Sequence, residues 1–299
     1  MLRTPAPLTR TLGVTPGFYV INYEILSTGD LTLLQTFSSP VVYLDHWALR
    51  LFSSNPDLSK QLINAIKGSN GSLALSWLNL AEFTKLTDAS QAQAAEQLVN
   101  DLIPNLYFLE VNPFTVMGIE NQLLNGAPPA PPHADQDFLK AFSLLPSNGL
   151  SLFTANGLFE VIVQNGGAVR IDKLADIIVE RIEAMREELN ADPEKEKLVL
   201  GSPRGPERQT GTLQILRELL RNFFADRTIK VTRNHAIDFM HAVVPSAYCD
   251  YVLLDRHWED QVKRMAKKMR DNGFEFAVAQ SFSQKESGVE NFLKSIGNM

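Results

Sequence analysis

The chain has 299 residues, 44% of them hydrophobic, enough for one large domain or for a core domain carrying a sizeable insertion. Its formal net charge of -6 argues against a protein held to nucleic acid by bulk positive charge, but it leaves room for a local basic face beside an acidic centre. One cysteine, Cys249, removes an internal disulfide framework. With no secretory h-region and no apolar run of about 18 residues, a soluble cytoplasmic protein with no membrane partner is expected.

Residues 17–24 (GFYVINYE) and 31–37 (LTLLQTF) flank the turn-like STGD and predict two strands ahead of the main fold. VVYLD, residues 41–45, predicts a compact strand ending in an acid, with Pro40 placed where a missing N–H costs least. Leu49 to Ile66 reads as helical, with Asn55 or Asp57 as cap positions near Pro56. LALSWLNLAEFTKL predicts a short strand running into a helix that carries Glu82. A further helix is expected over Ala89 to Leu102, and a strand over Leu106 to Val111.

GAPPAPP, residues 126–132, ends any helix and predicts a turn or extended linker. Beyond it, Ile171, Leu174, Ile178, Ile182, Met185 and Leu189 form one apolar stripe, which predicts an amphipathic helix. The stripe suits either docking on the core or pairing with a protein partner or second subunit. Residues 191–210 are rich in charge, glycine and proline and read as a mobile surface loop, followed by a helix over 212–227. The last segment predicts a helix over 234–244, a strand in YVLLD (251–255), a helix over 257–273, a strand in FEFAVA (274–279) and a closing helix in GVENFLKSI. Strand, helix, strand at this spacing indicates an α/β fold with a central, mainly parallel sheet. Residues 1–115 and 229–299 then form two parts of one α/β unit, separated by a mostly helical insertion over 116–228.

VVYLD and YVLLD share one construction, apolar residues and then an aspartate at the carboxyl end. In a parallel sheet those ends gather at one rim, where ligands usually bind. Asp45 and Asp255 are therefore expected to meet across 210 residues of sequence. Asp238 lies on the helix leading into the second strand, and Glu82 on a helix in the first half. Carboxylates converging in this way repel one another unless a cation neutralises them, and oxygen-only ligands suit Mg2+ or Mn2+ better than zinc. A strand-end acid can equally serve as a turn residue or helix cap.

VVYLDHW, LSWLNLAEF and IDFMHAVVPSAYCDYVLLDRHW resemble, in that order, the acidic signatures of PIN-domain proteins. The resemblance implies a three-layer fold with helices on both faces of a parallel sheet. It also implies a Mg2+ or Mn2+ pocket formed by Asp45, Glu82, Asp238 and Asp255, and cleavage of phosphodiesters, with single-stranded RNA as partner. The pattern includes a histidine three residues after the third acid, here His241, and a Cys-Asp pair before the last strand, here Cys249-Asp250. It departs at Leu254, where many relatives carry Thr or Ser. A non-catalytic PIN-like module binding RNA or protein, and a metal-dependent phosphatase acting on a small substrate, are the competing readings.

Around this set, His241 can orient Asp238 or contact a phosphate, or equally serve as a polar residue satisfying a helix-sheet junction. His257 and His46, with Trp258 and Trp47, can stack on bases or anchor loops against the core. Lys263 and Lys267, on one helical face with Arg270, can track a phosphate backbone or form an ordinary solvated face. Asp250 can be a fifth acid of the pocket but reads rather as a cap near the opposite rim, Cys249 reads as a small buried residue rather than a nucleophile, and Arg204 and Arg208 can supply a mobile substrate contact.

Overall fold

The computed structural model describes residues 22–25, 31–35, 37–84, 89–124, 135, 163, 166–201, 211–274 and 277–297. The proline-rich segment 126–132, the start of the first expected strand, and Arg204 and Arg208 lie outside them.

Strands β1 (Asn22–Ile25) and β2 (Leu31–Leu34) pair antiparallel as a separate two-stranded sheet. The central sheet contains β3 (Val41–Leu44), β4 (Ser72–Leu75), β5 (Leu106–Phe108), β6 (Tyr251–Leu253) and β7 (Gln280–Phe282), all parallel, in the order β5-β4-β3-β6-β7. The chain builds outward from β3 to β5 and then resumes on the other side of β3 with β6. A topological switch point therefore lies between β3 and β6, where open α/β sheets form a crevice at the carboxyl ends of the strands. Every residue of β3, β4 and β5 is buried, as a parallel sheet covered on both faces requires.

The helical stretch expected over Leu49 to Ile66 is divided at the cap position beside Pro56 into α1 (His46–Ser54) and α2 (Pro56–Gly68). Pro56 holds Asn55 in an extended conformation, so the helix stops there and restarts with Asn55 as its N-cap, accepting from the Asp57 and Leu58 N–H groups at 3.1 Å. α3 (Trp77–Thr84), α4 (Ala89–Leu102) and α5 (Pro113–Leu124) follow.

α6 (Gly167–Ala191) carries the predicted stripe, and Ile171, Ile178, Ile182 and Leu189 are buried in the chain's own core against α9 (Arg233–Tyr248) and α3. Part of the expected loop at 191–210 is a helix, α7 (Pro193–Leu200). Asp192 caps it, Pro193 opens it and Glu194 and Glu196 occupy its first turn. After α8 (Gly211–Ala225), Arg186 reaches across from α6 and donates to the carbonyls of Phe223, Asp226 and Ile229. This buried guanidinium satisfies the end of α8 and fixes the connection into α9.

α10 (Arg256–Asp271) returns along the sheet and ends at Gly273, whose φ of 76° suits glycine. The next strand is later than FEFAVA suggests. β7 begins at Gln280, because pairing in register with Tyr251 requires the chain to travel back from the end of α10 first. α11 (Gly288–Gly297) closes the described chain.

The helices form two layers. Phe52 of α1 and Phe292 of α11 meet on one side, where Phe292 also packs on Phe282 of β7; Phe223, Phe239 and Trp258 of α8, α9 and α10 cluster on the other. Among the described residues, no helix is long and apolar enough to cross a membrane.

Candidate functional site

The two strand-end aspartates flank the switch point. Asp45 follows β3 and caps α1, its Oδ1 accepting from the Trp47 N–H at 2.8 Å; Asp255 follows β6 and caps α10, its Oδ1 accepting from the Trp258 N–H at 2.8 Å. The Asp45 N–H donates to the Leu253 carbonyl at 3.0 Å, and Asp45 Oδ2 accepts from the Asp255 N–H at 3.3 Å. The two acids are thus stitched together through main chain. Each has one oxygen committed as a helix cap.

Asp238 and His241 lie one turn apart on α9, whose start is fixed by a capping box between Thr232 and His235. His241 is 1% exposed and bridges two elements: Nε2 lies 2.8 Å from Glu82 Oε2, and Nδ1 lies 2.5 Å from the Tyr43 hydroxyl. Tyr43 also contacts Ser76 Oγ at 3.3 Å. Ser76 and Asn79 cap α3 reciprocally, and Asn79 Nδ2 donates to the Leu44 carbonyl at 3.0 Å. Hydrogen bonds therefore run from the strand carrying Asp45, through Tyr43 and His241, to Glu82. His46 Nδ1 lies 3.9 Å from the same Glu82 oxygen.

The electrostatics follow from crowding buried and half-buried acids at one rim of the sheet. Burial pushes the Asp45 carboxyl up to about 7; His241 and the Trp47 N–H oppose the rise, while Asp238 and Glu82 reinforce it. Burial likewise raises Asp238 to about 7, opposed by His241 and reinforced by Asp255 and Glu82. Burial disfavours a charged His241, but Glu82, Asp45 and Asp238 overcome it and raise the imidazole. Burial also lowers His46, against the pull of Glu82. All four sequence-predicted acids share one electrostatic neighbourhood, with His241 as its buried counter-charge.

The donor set is all carboxylate oxygen, the chemistry that hard divalent cations take. Among the described residues, however, no three His, Cys, Asp or Glu side chains are placed to hold a metal ion together.

The predicted substrate contacts divide. His241 is too buried to meet a phosphate, and its bonds to Glu82 and Tyr43 make it an internal strut. His257 is exposed at the start of α10, edge-on to Trp258 at 5.5 Å, whereas Trp258 is buried among Phe223 and Phe239 and cannot stack on a base. Lys263 and Lys267 are exposed, and Lys263 pairs with Glu259. At 1.5 Å per residue, Lys267 sits roughly 18 Å along α10 from Asp255, well away from the acids. Lys263 and Arg270 instead line a cavity of about 420 Å³ between α10 and the start of β7, toward the opposite rim.

Asp250 lies at that opposite rim, its Oδ2 accepting from the Val41 N–H at 2.6 Å. Cys249 is buried, and burial raises its thiol, so it is no nucleophile at neutral pH. Tyr43, Ser76 and Asn79 escape a reading centred on acids. Their signals were a hydroxyl inside an otherwise apolar strand and the S-x-x-N spacing at the start of α3.

Fold and site together define an α/β protein with a five-stranded parallel sheet and a cluster of acids at its switch point. No family model, no curated protein and no solved structure matches the chain.

Proposed function

We propose that the chain is a PIN-like, divalent-metal-dependent endoribonuclease that hydrolyses phosphodiesters in single-stranded RNA with Mg2+ or Mn2+. One observation carries the reading. Asp45, Glu82, Asp238 and Asp255, drawn from four separate segments, converge at the switch point, and among the described residues His241 is the positive group that opposes the rise of both Asp45 and Asp238. Protein cores avoid such clusters unless a ligand compensates them.

Asp45, Asp238 and Asp255 would hold the ion, drawing together around it from positions in which, among the described residues, no three acids already share one. When bound, the ion supplies charge neutralisation at the phosphate and activation of the attacking water. Glu82 is held at one oxygen by His241, which leaves its other oxygen to orient that water or accept its proton. His241 and Tyr43 act as positioning residues, fixing Glu82 without touching substrate. Trp47 and Trp258 N–H groups hold one oxygen each of Asp45 and Asp255, so those carboxylates are oriented before any ligand arrives.

The test is cleavage of labelled single-stranded RNA and DNA by the purified chain with Mn2+, beside Asp45→Asn and an EDTA control. Manganese-dependent cleavage of RNA that is lost in Asp45→Asn is expected. Equal cleavage by both proteins exposes a contaminant. Hydrolysis of p-nitrophenyl phosphate with intact RNA would replace the nuclease reading with a phosphatase.

A further inference from the structure

Beside the acids, α1 presents a face that no step above uses. Trp47, Arg50, Leu51 and Ser54 are spaced i, i+3, i+4 and i+7 and share one side of the helix, while Ala48, Leu49 and Phe52 are buried on the other. With Ser53, with Gln91 on α4 and with Gln284 just beyond the carboxyl end of β7, this face lines a cavity of about 290 Å³. The cavity is tied to the acidic site through Trp47, whose backbone N–H donates to Asp45 Oδ1.

Apart from Trp47 and Leu51, its lining is polar. It holds one cation, Arg50, and no acid, although the acidic crevice begins two residues before Trp47. Two carboxamides, Gln91 and Gln284, offer donors and acceptors together. The indole Nε1 of Trp47 is buried and has no hydrogen-bond partner among the described residues. Arg50 is exposed, and among the described residues it makes no ion pair.

We propose that this cavity receives one base of a single-stranded oligonucleotide, that of the nucleotide next to the phosphate facing Asp45. A nucleobase is flat, uncharged and edged with donors and acceptors. The Trp47 ring and the Arg50 guanidinium supply surfaces on which it stacks, and Gln91 and Gln284 supply partners for its edge. Arg50 also supplies the positive charge that draws a polyanion toward a crevice of like-charged carboxylates. A duplex base cannot enter, because its edge is paired and its faces are stacked, so the cavity selects single strands. The inference rests on the nuclease reading only for the identity of the neighbouring phosphate.

The experiment uses the full chain in EDTA, so that nothing is cleaved. Fluorescence anisotropy measures its affinity for a labelled decamer of uridine and for a base-free ribose-phosphate decamer. Trp47→Leu and Gln284→Ala are each expected to weaken the uridine decamer by about 5- to 10-fold and the base-free decamer by less than about twofold. Arg50→Ala should weaken both. Gln284 is exposed, so its variant tests the cavity even if Trp47→Leu fails to fold, which circular dichroism reports. Equal losses on both decamers, no loss on either, or no binding by the parent chain would overturn the proposal. Base-dependent binding that follows these variants, in a protein that cleaves nothing with Mn2+, would overturn the nuclease reading alone.

Discussion

Asp45 and Asp250 bracket the same sheet from opposite rims, and their surroundings differ in kind. Asp250 gathers hydrogen-bond partners at the strand starts. Its carboxylate accepts from the Val41 N–H at 2.6 Å, its own N–H donates to the Val41 carbonyl at 2.8 Å, and its carbonyl accepts from Gln280 at 2.9 Å, so one residue ties β6 to both neighbours. Asp45 gathers other acids. It accepts two N–H groups, but burial, Asp238 and Glu82 push its carboxyl up to about 7. A structural acid is surrounded by what stabilises its charge, whereas an acid kept for a ligand is left short of it.

The largest effect that tests this contrast is on chemistry. Asp45→Asn and Asp238→Asn should each lower manganese-dependent RNA cleavage by at least about 100-fold, since even outer partners of a metal ligand are worth 10- to 100-fold. Asparagine preserves the cap on α1, so the Asp45 variant should still fold. Asp250→Asn should leave the cleavage rate within about twofold. Comparable losses at both rims, measured as initial rates on the same labelled RNA, would erase the distinction.

Next comes the response of stability to pH and metal, with the sign set by the raised carboxyls. Below about pH 4 the folded and unfolded chains both keep the Asp45 and Asp238 protons. Between about 4 and 7 the unfolded chain releases them while the folded one retains them, so metal-free stability falls as pH rises through this window and levels off above it. His241 acts in the same direction, because a raised imidazole contributes stability that is lost as pH climbs through its folded pKa. Thermal melting in EDTA from pH 4.5 to 8 should show the decline. Mn2+ at pH 7.5 should recover part of it, by on the order of a few kcal/mol, and Asp238→Asn should flatten it. A metal-free protein that grows more stable across that range would contradict the cluster.

Much of this arrangement was legible in the residues. The repeated apolar-strand-then-Asp pattern of VVYLD and YVLLD placed Asp45 and Asp255 at one rim, because parallel strands end together. Asp250 was placed at the other rim by the same count. What stayed hidden depends on three dimensions. Nothing in HAVV says that His241 turns into the core to meet Tyr43 and Glu82, elements 198 and 159 residues away in sequence. Trp258 and Trp47 follow their aspartates almost identically, yet one is buried by Phe223 and Phe239 and the other faces a cavity, a difference set by the helical layer laid over each. The division of α1 from α2 is readable from Asn55-Pro56, where the cap position interrupts the apolar periodicity. FEFAVA has the stronger strand composition, but register with β6 selects Gln280–Phe282 as β7.

A smaller effect sharpens the stability side of the comparison. Asp250→Ala removes the carboxylate that holds the Val41 N–H, and a hydrogen bond to a charged group is worth about 1.5–3 kcal/mol. Urea unfolding should show a loss of that size in the metal-free chain at pH 7.5, where Asp238→Asn should show a gain. The two aspartate variants are therefore expected to move stability in opposite directions. Two losses of equal size would mean that Asp238 is held by partners as Asp250 is.

The smallest predicted effect concerns Tyr43, which touches no substrate. Its hydroxyl meets His241 Nδ1 at 2.5 Å and so fixes the ring whose other nitrogen holds Glu82. Tyr43→Phe keeps the ring that fills the core but frees the imidazole to tilt, and Glu82 loses its aim with it. Cleavage should slow by about three- to tenfold in kcat, within the range that outer-shell partners contribute, with KM for RNA unchanged because nothing that binds the strand has moved. A residue serving packing alone would lower the melting temperature and leave kcat intact. A change confined to KM would place Tyr43 in the binding surface instead, and its burial beneath α9 argues against that outcome.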